Sequence, residues 1–286
     1  LGDETAAIKL YRYLKKHDIY TLTFSQANAN LQEHYLLFTY LLDQLSIKTL
    51  ILPIIFDDTR EDNIRSDIKE ILNNKAIYKK INQTLTGKSL IKRFNNKDFE
   101  DNFSKNSKNI ESNNFENFLD EKFGKIWPLW NKREILRGNL INSLYLIRNN
   151  VFGINASTIR KKIPGRYNKN INAYKDILLL AKKNNVEVLV YIPPIRNDVT
   201  IPYDLNEYNS FKKEVSIIAN DSDVHFTNLE NLIPPNYWGV KPSTNYSGKI
   251  KKSYELDFMH FQSKGHELLA EAIYFEITKF LKKIIY

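Results

Sequence analysis

The stretch KTLILPIIF, residues 48–56, is apolar without alternation. A strand with one wet face alternates apolar and polar side chains; a strand covered on both faces does not, and such strands belong mostly to parallel sheets flanked by helices. LQEHYLLFTYLLDQL (31–45) precedes it with the spacing of an amphipathic helix. The pairing recurs in NINAYKDILLLAKKNN (170–185, helix) and VEVLVYIPP (186–194), a strand ended by two prolines that cannot donate to a ladder. LNEYNSFKKEVSIIAN (205–220) and VHFTNL (224–229) continue as helix and strand. At the start, residues 5–16 have helical spacing and IYTLTF (19–24) is β-branched and aromatic, which predicts a strand. From Ser263, the expected N-cap, an apolar stripe through Leu269, Ile273, Ile277 and Phe280 predicts a long final helix. This alternation implies an α/β fold with a mainly parallel sheet.

The rhythm stops in the middle of the chain. Residues 85–125 are rich in Asn, Lys and Ser with isolated phenylalanines, and 127–150 regain helical spacing. Residues 85–165 are therefore expected to form a mainly helical insertion or cap on one domain spanning 1–286, with 85–125 outside the core.

Composition narrows the function classes. The absence of cysteine excludes disulfides, thiolate metal sites and a cysteine nucleophile. Nine glycines, with neither G-x-G-x-x-G nor G-x-x-x-x-G-K-[ST], leave no loop to cradle phosphates. The formal charge of +9 is spread among asparagines and isoleucines with no compact basic block, so no nucleic-acid partner is expected. No apolar run reaches the roughly 18–20 residues that span a bilayer. Any membrane proximity is expected to come from an upstream segment outside this chain.

In open parallel sheets, functional groups gather beyond the carboxyl ends of the strands. GDET (2–5), SQANAN (25–30), FDDTR (56–60) and IPPIRND (192–198) stand at such ends, and Asp257 and His260 lie in the expected loop before the last helix. An aspartate three residues before a histidine suits an oriented base: the carboxylate fixes the tautomer, and the other ring nitrogen takes a proton. A helix-entry loop with a histidine satisfied by backbone is the plainer reading of the same spacing. A metal site from Asp257, His260 and Asp57 or Asp58 would lack any recognised ligand spacing, so neither metal nor cofactor is expected. His266, on the first turn of the final helix, is expected at the surface. Trp127, Trp130, Tyr237 and Trp238 are expected in the core or on its rim.

Taken together, these segments resemble the SGNH (GDSL-like) hydrolase superfamily over about 1–65 and 170–286. GDET falls where the family has Gly-Asp-Ser, and DFMHF followed by Lys264-Gly265-His266 matches its Asp-x-x-His block before the terminal helix. FSQANAN and FDDTR fall where the family places its oxyanion-hole glycine and asparagine. The YIPP end and the middle insertion look more like the divergent cell-envelope branch, which includes teichoic acid D-alanyl transfer proteins and alginate acetyltransferase-like proteins. The resemblance implies a three-layer, flavodoxin-like α/β domain without a cofactor. It also implies esterase or O-acyltransferase activity on a cell-envelope polysaccharide, in an extracytoplasmic or membrane-associated setting, with a carbohydrate or acylated small molecule as substrate. His260 is then the base and Asp257 its orienter. Ala27, Asn28, Asp57, Asp58 and Arg60 line the oxyanion and substrate region. Glu4 occupies the place of the nucleophilic serine, and Asp57 or Asp58 that of the asparagine. Thr5 and Ser25 are nearby hydroxyls that could replace the nucleophile. The substitution at position 4 also admits a catalytically inactive protein that binds a glycan or acylated ligand.

Overall fold

A computed structural model of the chain describes residues 6–24, 29–94, 158–242 and 254–281. The chain divides into two compact units: Leu1–Lys88 with Ala156–Lys241 and Tyr254–Tyr286, and Ser89–Asn155 with Pro242–Ser253. Nearly all described elements belong to the first, a mixed α/β unit built on a small parallel sheet.

Three strands form that sheet in the order β1 (Thr49–Pro53), β2 (Glu187–Ile192), β3 (His225–Asn228), all parallel. Thr49 pairs with Glu187 and Pro53 with Tyr191; Leu189 pairs with His225 and Ile192 with Asn228. After Glu187, every residue of the central strand is buried, as its unbroken apolar sequence requires. Pro53 and the Pro193–Pro194 pair end β1 and β2, where a missing N–H costs no ladder bond.

Among the described residues the helices are α1 (Ala6–Lys15), α2 (Leu31–Gln44), α3 (Ser66–Lys69), α4 (Lys75–Ile81), α5 (Leu85–Phe94), α6 (Pro164–Lys183), α7 (Leu205–Asp221) and α8 (Ser263–Leu281). Of these, α1, α2, α6, α7 and α8 fall on stretches with helical spacing, whereas α3 and α4 are unexpected. α2 opens with a capping box: the Asn30 side chain accepts from the Gln32 and Glu33 N–H groups, and Glu33 accepts from the Asn30 N–H. α1 and α8 run side by side in one direction, since Lys9 pairs with Glu267 at 2.8 Å while His17 stacks on Tyr274 at 4.0 Å. Leu14 joins Ile273, Ile277 and Phe280 from α8 against Leu189 and Tyr191 of β2. Strand alternation sends Val188, Val190 and Ile192 the other way. α6 packs against α2 and β2.

Four expectations change. IYTLTF carries no ladder: β-branched and aromatic content favours a strand only where it packs against a sheet. Here Tyr20 and Leu22 are 74% and 72% exposed, and Ile19 alone of the six packs on the core cluster. The Asp257/His260 segment is not a loop but strand β5 (Tyr254–Phe261), which pairs with β4 (Trp238–Pro242) in a separate two-stranded ribbon. Ser263 is the first helical residue rather than the cap, because the Gln262 carbonyl already accepts the His266 N–H at 3.2 Å. Residues 85–94, expected outside the core, form α5, with Leu90 and Ile91 buried and the Thr86 N–H donating to Asp176 at 2.8 Å. The helix expected over 127–150, with Trp127 and Trp130, lies outside the described residues. Trp238 is a core residue, donating its indole N–H to the Ile233 carbonyl at 3.1 Å. No described helix is long and apolar enough to cross a membrane.

Candidate active site

The chain leaves β1 through Ile54 and Phe56 into a 3₁₀ turn, Asp57–Arg60, and leaves β2 through Pro193–Pro194 to Arg196. These two exits share a crevice lined by Phe56, Ile192, Pro193, Tyr203 and Met259, the last contributed by β5. The Arg196 N–H donates to the Phe258 carbonyl at 3.2 Å. Its buried guanidinium donates to Asp198 at 2.7 and 3.0 Å and to the Gly239 carbonyl at 2.9 Å. Arg196 thus holds the β4–β5 ribbon to the carboxyl end of the sheet. FDDTR, IPPIRND and the Asp257/His260 strand meet at one edge.

On β5, Asp257 folds back onto its own chain. Its Oδ1 accepts the Met259 and His260 N–H groups at 3.1 and 2.9 Å, and its two oxygens lie 3.1 and 3.0 Å from His260 Nδ1. Burial pushes this carboxyl up, but the His260 ring and the two backbone donors outweigh it and hold it at about 2. An ionised aspartate makes Nδ1 the protonated nitrogen, so Nε2 is the acceptor. The carboxylate is buried while the imidazole is 71% exposed, the combination an oriented base needs. A carboxyl depressed on folding stabilises the fold above its unfolded pKa and loses that contribution as pH falls through its folded one. Asp257→Asn should therefore remove about 2 kcal/mol of stability change between pH ~4 and ~2, measured as denaturant unfolding across that range.

Around this pair the structure adds residues that sequence reasoning passed over. His266, expected at the surface, is half-buried against Phe261 at 4.4 Å, and its Nδ1 has no hydrogen-bond partner among the described residues. Burial lowers its pKa, and His260 when protonated, together with the Lys9 charge, lowers it further. Through its 2.8 Å pair with Glu267, Lys9 sets the first turns of α1 beside the start of α8. Tyr203 donates to Asp57 at 3.2 Å and lies 3.9 Å from the Met259 sulfur, bridging the 3₁₀ turn to β5. Burial, then the Asp57 charge, raises its pKa well above the ordinary value. Arg160 pairs with Asp57 from 103 positions away, a separation no local pattern reveals.

Of the remaining sequence candidates, Arg60 donates to Asp57 at 3.2 Å and to the Lys161 carbonyl at 2.9 Å. Asp57, with Arg60, Arg160 and Tyr203 all donating to it, is a compensated anion. Asp58, half-buried beside it, is pushed up to about 8 by burial, by Asp57 and Glu61, and by Glu33, against the opposing pull of Arg65. Glu4, Thr5, Ser25, Ala27 and Asn28 lie outside the described residues. Among the described residues no three His, Asp or Glu side chains converge as a metal-binding group. Comparison with family models, with curated proteins and with solved structures gives no match to this chain.

Proposed function

We propose that this chain is an SGNH-like esterase or O-acyltransferase acting on acyl groups of a cell-envelope polysaccharide. The observation that carries the reading is the Asp257–His260 pair, a buried ionised carboxylate holding an exposed imidazole by Nδ1 at the carboxyl edge of a parallel sheet. α1 and α8 on one side, with α2 and α6 packed together beyond β2, support a three-layer arrangement. Lys9 on α1 pairs with Glu267, next to His266, and Glu4 stands two positions before α1 in the sequence.

In this mechanism His260 Nε2 takes a proton from the attacking hydroxyl, which belongs to water or to a glycan acceptor. The new carbon–oxygen bond forms at the ester carbonyl. Asp257 stabilises the resulting imidazolium, which returns the proton to the leaving alkoxide as the acyl–oxygen bond breaks. Glu4 serves to position the attacking hydroxyl rather than to attack, since attack by a carboxylate would give a mixed anhydride. An extracytoplasmic or membrane-associated location fits such a polymer substrate.

A second reading is favoured by Glu4 itself and by the compensated Asp57: a protein with this cleft that binds a glycan or acylated ligand without turning it over. Purified protein is to be assayed on short acyl esters and acetylated glycans. Turnover that falls at least about 10³-fold in His260→Ala supports the enzyme. No turnover in any assay removes it, and activity that emerges only in Glu4→Ser assigns the chain to the binding reading.

A further inference from the structure

β1 is apolar almost throughout, yet Leu50 and Ile51 are only half-buried, whereas the central strand is buried from Val188 to Ile192. Its backbone is used on one side. The Glu187 N–H donates to the Lys48 carbonyl and the Ile54 N–H to the Tyr191 carbonyl, both at 2.9 Å. Lys48, Leu50, Leu52 and Ile54 therefore turn their backbone groups towards β2, and Thr49 and Ile51 turn theirs to the far edge. Among the described residues β1 pairs with β2 alone. Residues 19–24 carry no ladder either, and Tyr20, Leu22 and Phe24 are exposed. Their direction follows from their neighbours. α8 runs from the carboxyl edge, where β5 delivers it, to the amino edge, where Glu276 meets His225, the first residue of β3. α1 lies alongside in the same direction, and the Ile19 N–H donates to the Leu14 carbonyl near its end. The chain then returns to α2, whose Leu31 shares the Asn170 side chain with the Thr59 and Glu61 carbonyls beyond β1. Residues 19–24 thus travel from the amino to the carboxyl edge, parallel to β1.

Crossovers between parallel strands are right-handed in about 98% of cases. Those on one face of a sheet therefore all step in one direction, and those on the other face step back. α7 carries the chain from β2 to β3 on the α6 face, since Tyr174 of α6 donates to the Val215 carbonyl of α7 at 3.3 Å. α2 packs on α6 too, so its crossover steps the same way, and residues 19–24 lie beyond the free edge of β1. α1 covers the opposite face, with Leu14, Ile19 and Ile51 around one cluster. It therefore steps the other way, reaching 19–24 from a strand nearer β1.

We propose that one further parallel strand fills the place between β1 and residues 19–24, and that it is the polypeptide leading into α1. Gly2, Asp3 and Glu4 are poor strand residues, so this strand belongs to residues N-terminal to Leu1. With α1 over one face, α2 over the other and a neighbour at each edge, it has to be apolar without alternation. A length of about five residues matches β1. It pairs the outward backbone groups of Thr49 and Ile51, gives residues 19–24 their ladder, and covers Leu50 and Ile51. The placement does not rest on the acyl-transfer reading.

The test compares the full-length gene product with the chain beginning at Leu1. The codons directly before Leu1 should encode an apolar, mainly β-branched run; a polar or proline-broken stretch there overturns the proposal. In hydrogen exchange of the full-length protein, the Thr49 and Ile51 amides should be as protected as those of Leu50 and Leu52, with amides of 20–24 protected beside them. In the chain from Leu1, Thr49 and Ile51 should exchange at least about tenfold faster than Leu50 and Leu52. The same alternation in the full-length protein overturns the proposal, and that measurement stands even where the shorter chain does not fold. Protection of Ile51 in the shorter chain that appears only as it dimerises, followed by sedimentation, gives the place to a second copy and overturns it as well.

Discussion

Phe56→Ala is expected to destabilise the fold by about 3–5 kcal/mol. Phe56 is buried at the exit of β1, with ring centroids 4.9 Å from Tyr203, 5.8 Å from Tyr208 and 5.4 Å from Phe211. Edge-on aromatic contacts of this kind add about 0.5–1.5 kcal/mol beyond the area they bury, and truncation would leave a cavity walled by three rings that cannot all collapse into it. The cluster also carries the backbone into the turn that bears Asp57, Asp58 and Arg60. Denaturant unfolding should show a lower midpoint with an unchanged slope. Phe56→Leu should cost roughly a third as much, because it retains most of the volume.

Asn170→Ala is expected to cost about 3 kcal/mol or more, although the side chain it removes is small. Asn170 is fully buried on α6; its carbonyl accepts the Leu31 N–H at 3.0 Å, and its amide donates to the carbonyls of Thr59, Glu61 and Arg166 at 3.3, 2.7 and 3.0 Å. Each buried backbone group left without a partner costs about 1–3 kcal/mol. The residue satisfies one of the orphan donors at the start of α2 and fixes the end of the 3₁₀ turn. Hydrogen exchange should accelerate at Leu31, while β2 amides should open only by global unfolding. Exchange at Leu31 that matches the wild type at equal stability would show that Asn170 does not satisfy that group.

Much of the α/β framework was legible because its signals are local. α2, α7, β2 and β3 fall within about one to two residues of the ends expected from periodicity. The acid–histidine spacing also pointed to its own contact, since a separation of three places both side chains on one bend of chain. What failed was non-local. IYTLTF has the composition of a strand, but a ladder needs a neighbouring edge, and composition does not record one. β5 was missed because its partner, β4, is set by the Arg196 contacts and not by any pattern within YELDFMHF. Asn170 and Tyr203 look ordinary in sequence, and Arg160 meets Asp57 only through the fold. Asp58 could be named from the resemblance, but not separated from Asp57. The separation depends on which carboxylate the arginines reach.

The pairing of α1 with α8 has a consequence for how the molecule is made. Lys9 waits for Glu267, 258 positions later, and the apolar cluster around Leu14 is completed only when Ile273 and Phe280 arrive. On the ribosome, α1 therefore emerges long before the helix it docks on, and its greasy side stays open to chaperones until α8 is made. The layer formed by α2, β1 and α6 can settle earlier. A nascent chain released before residue 263 would then expose the central strand on one side and be an early substrate for proteolysis.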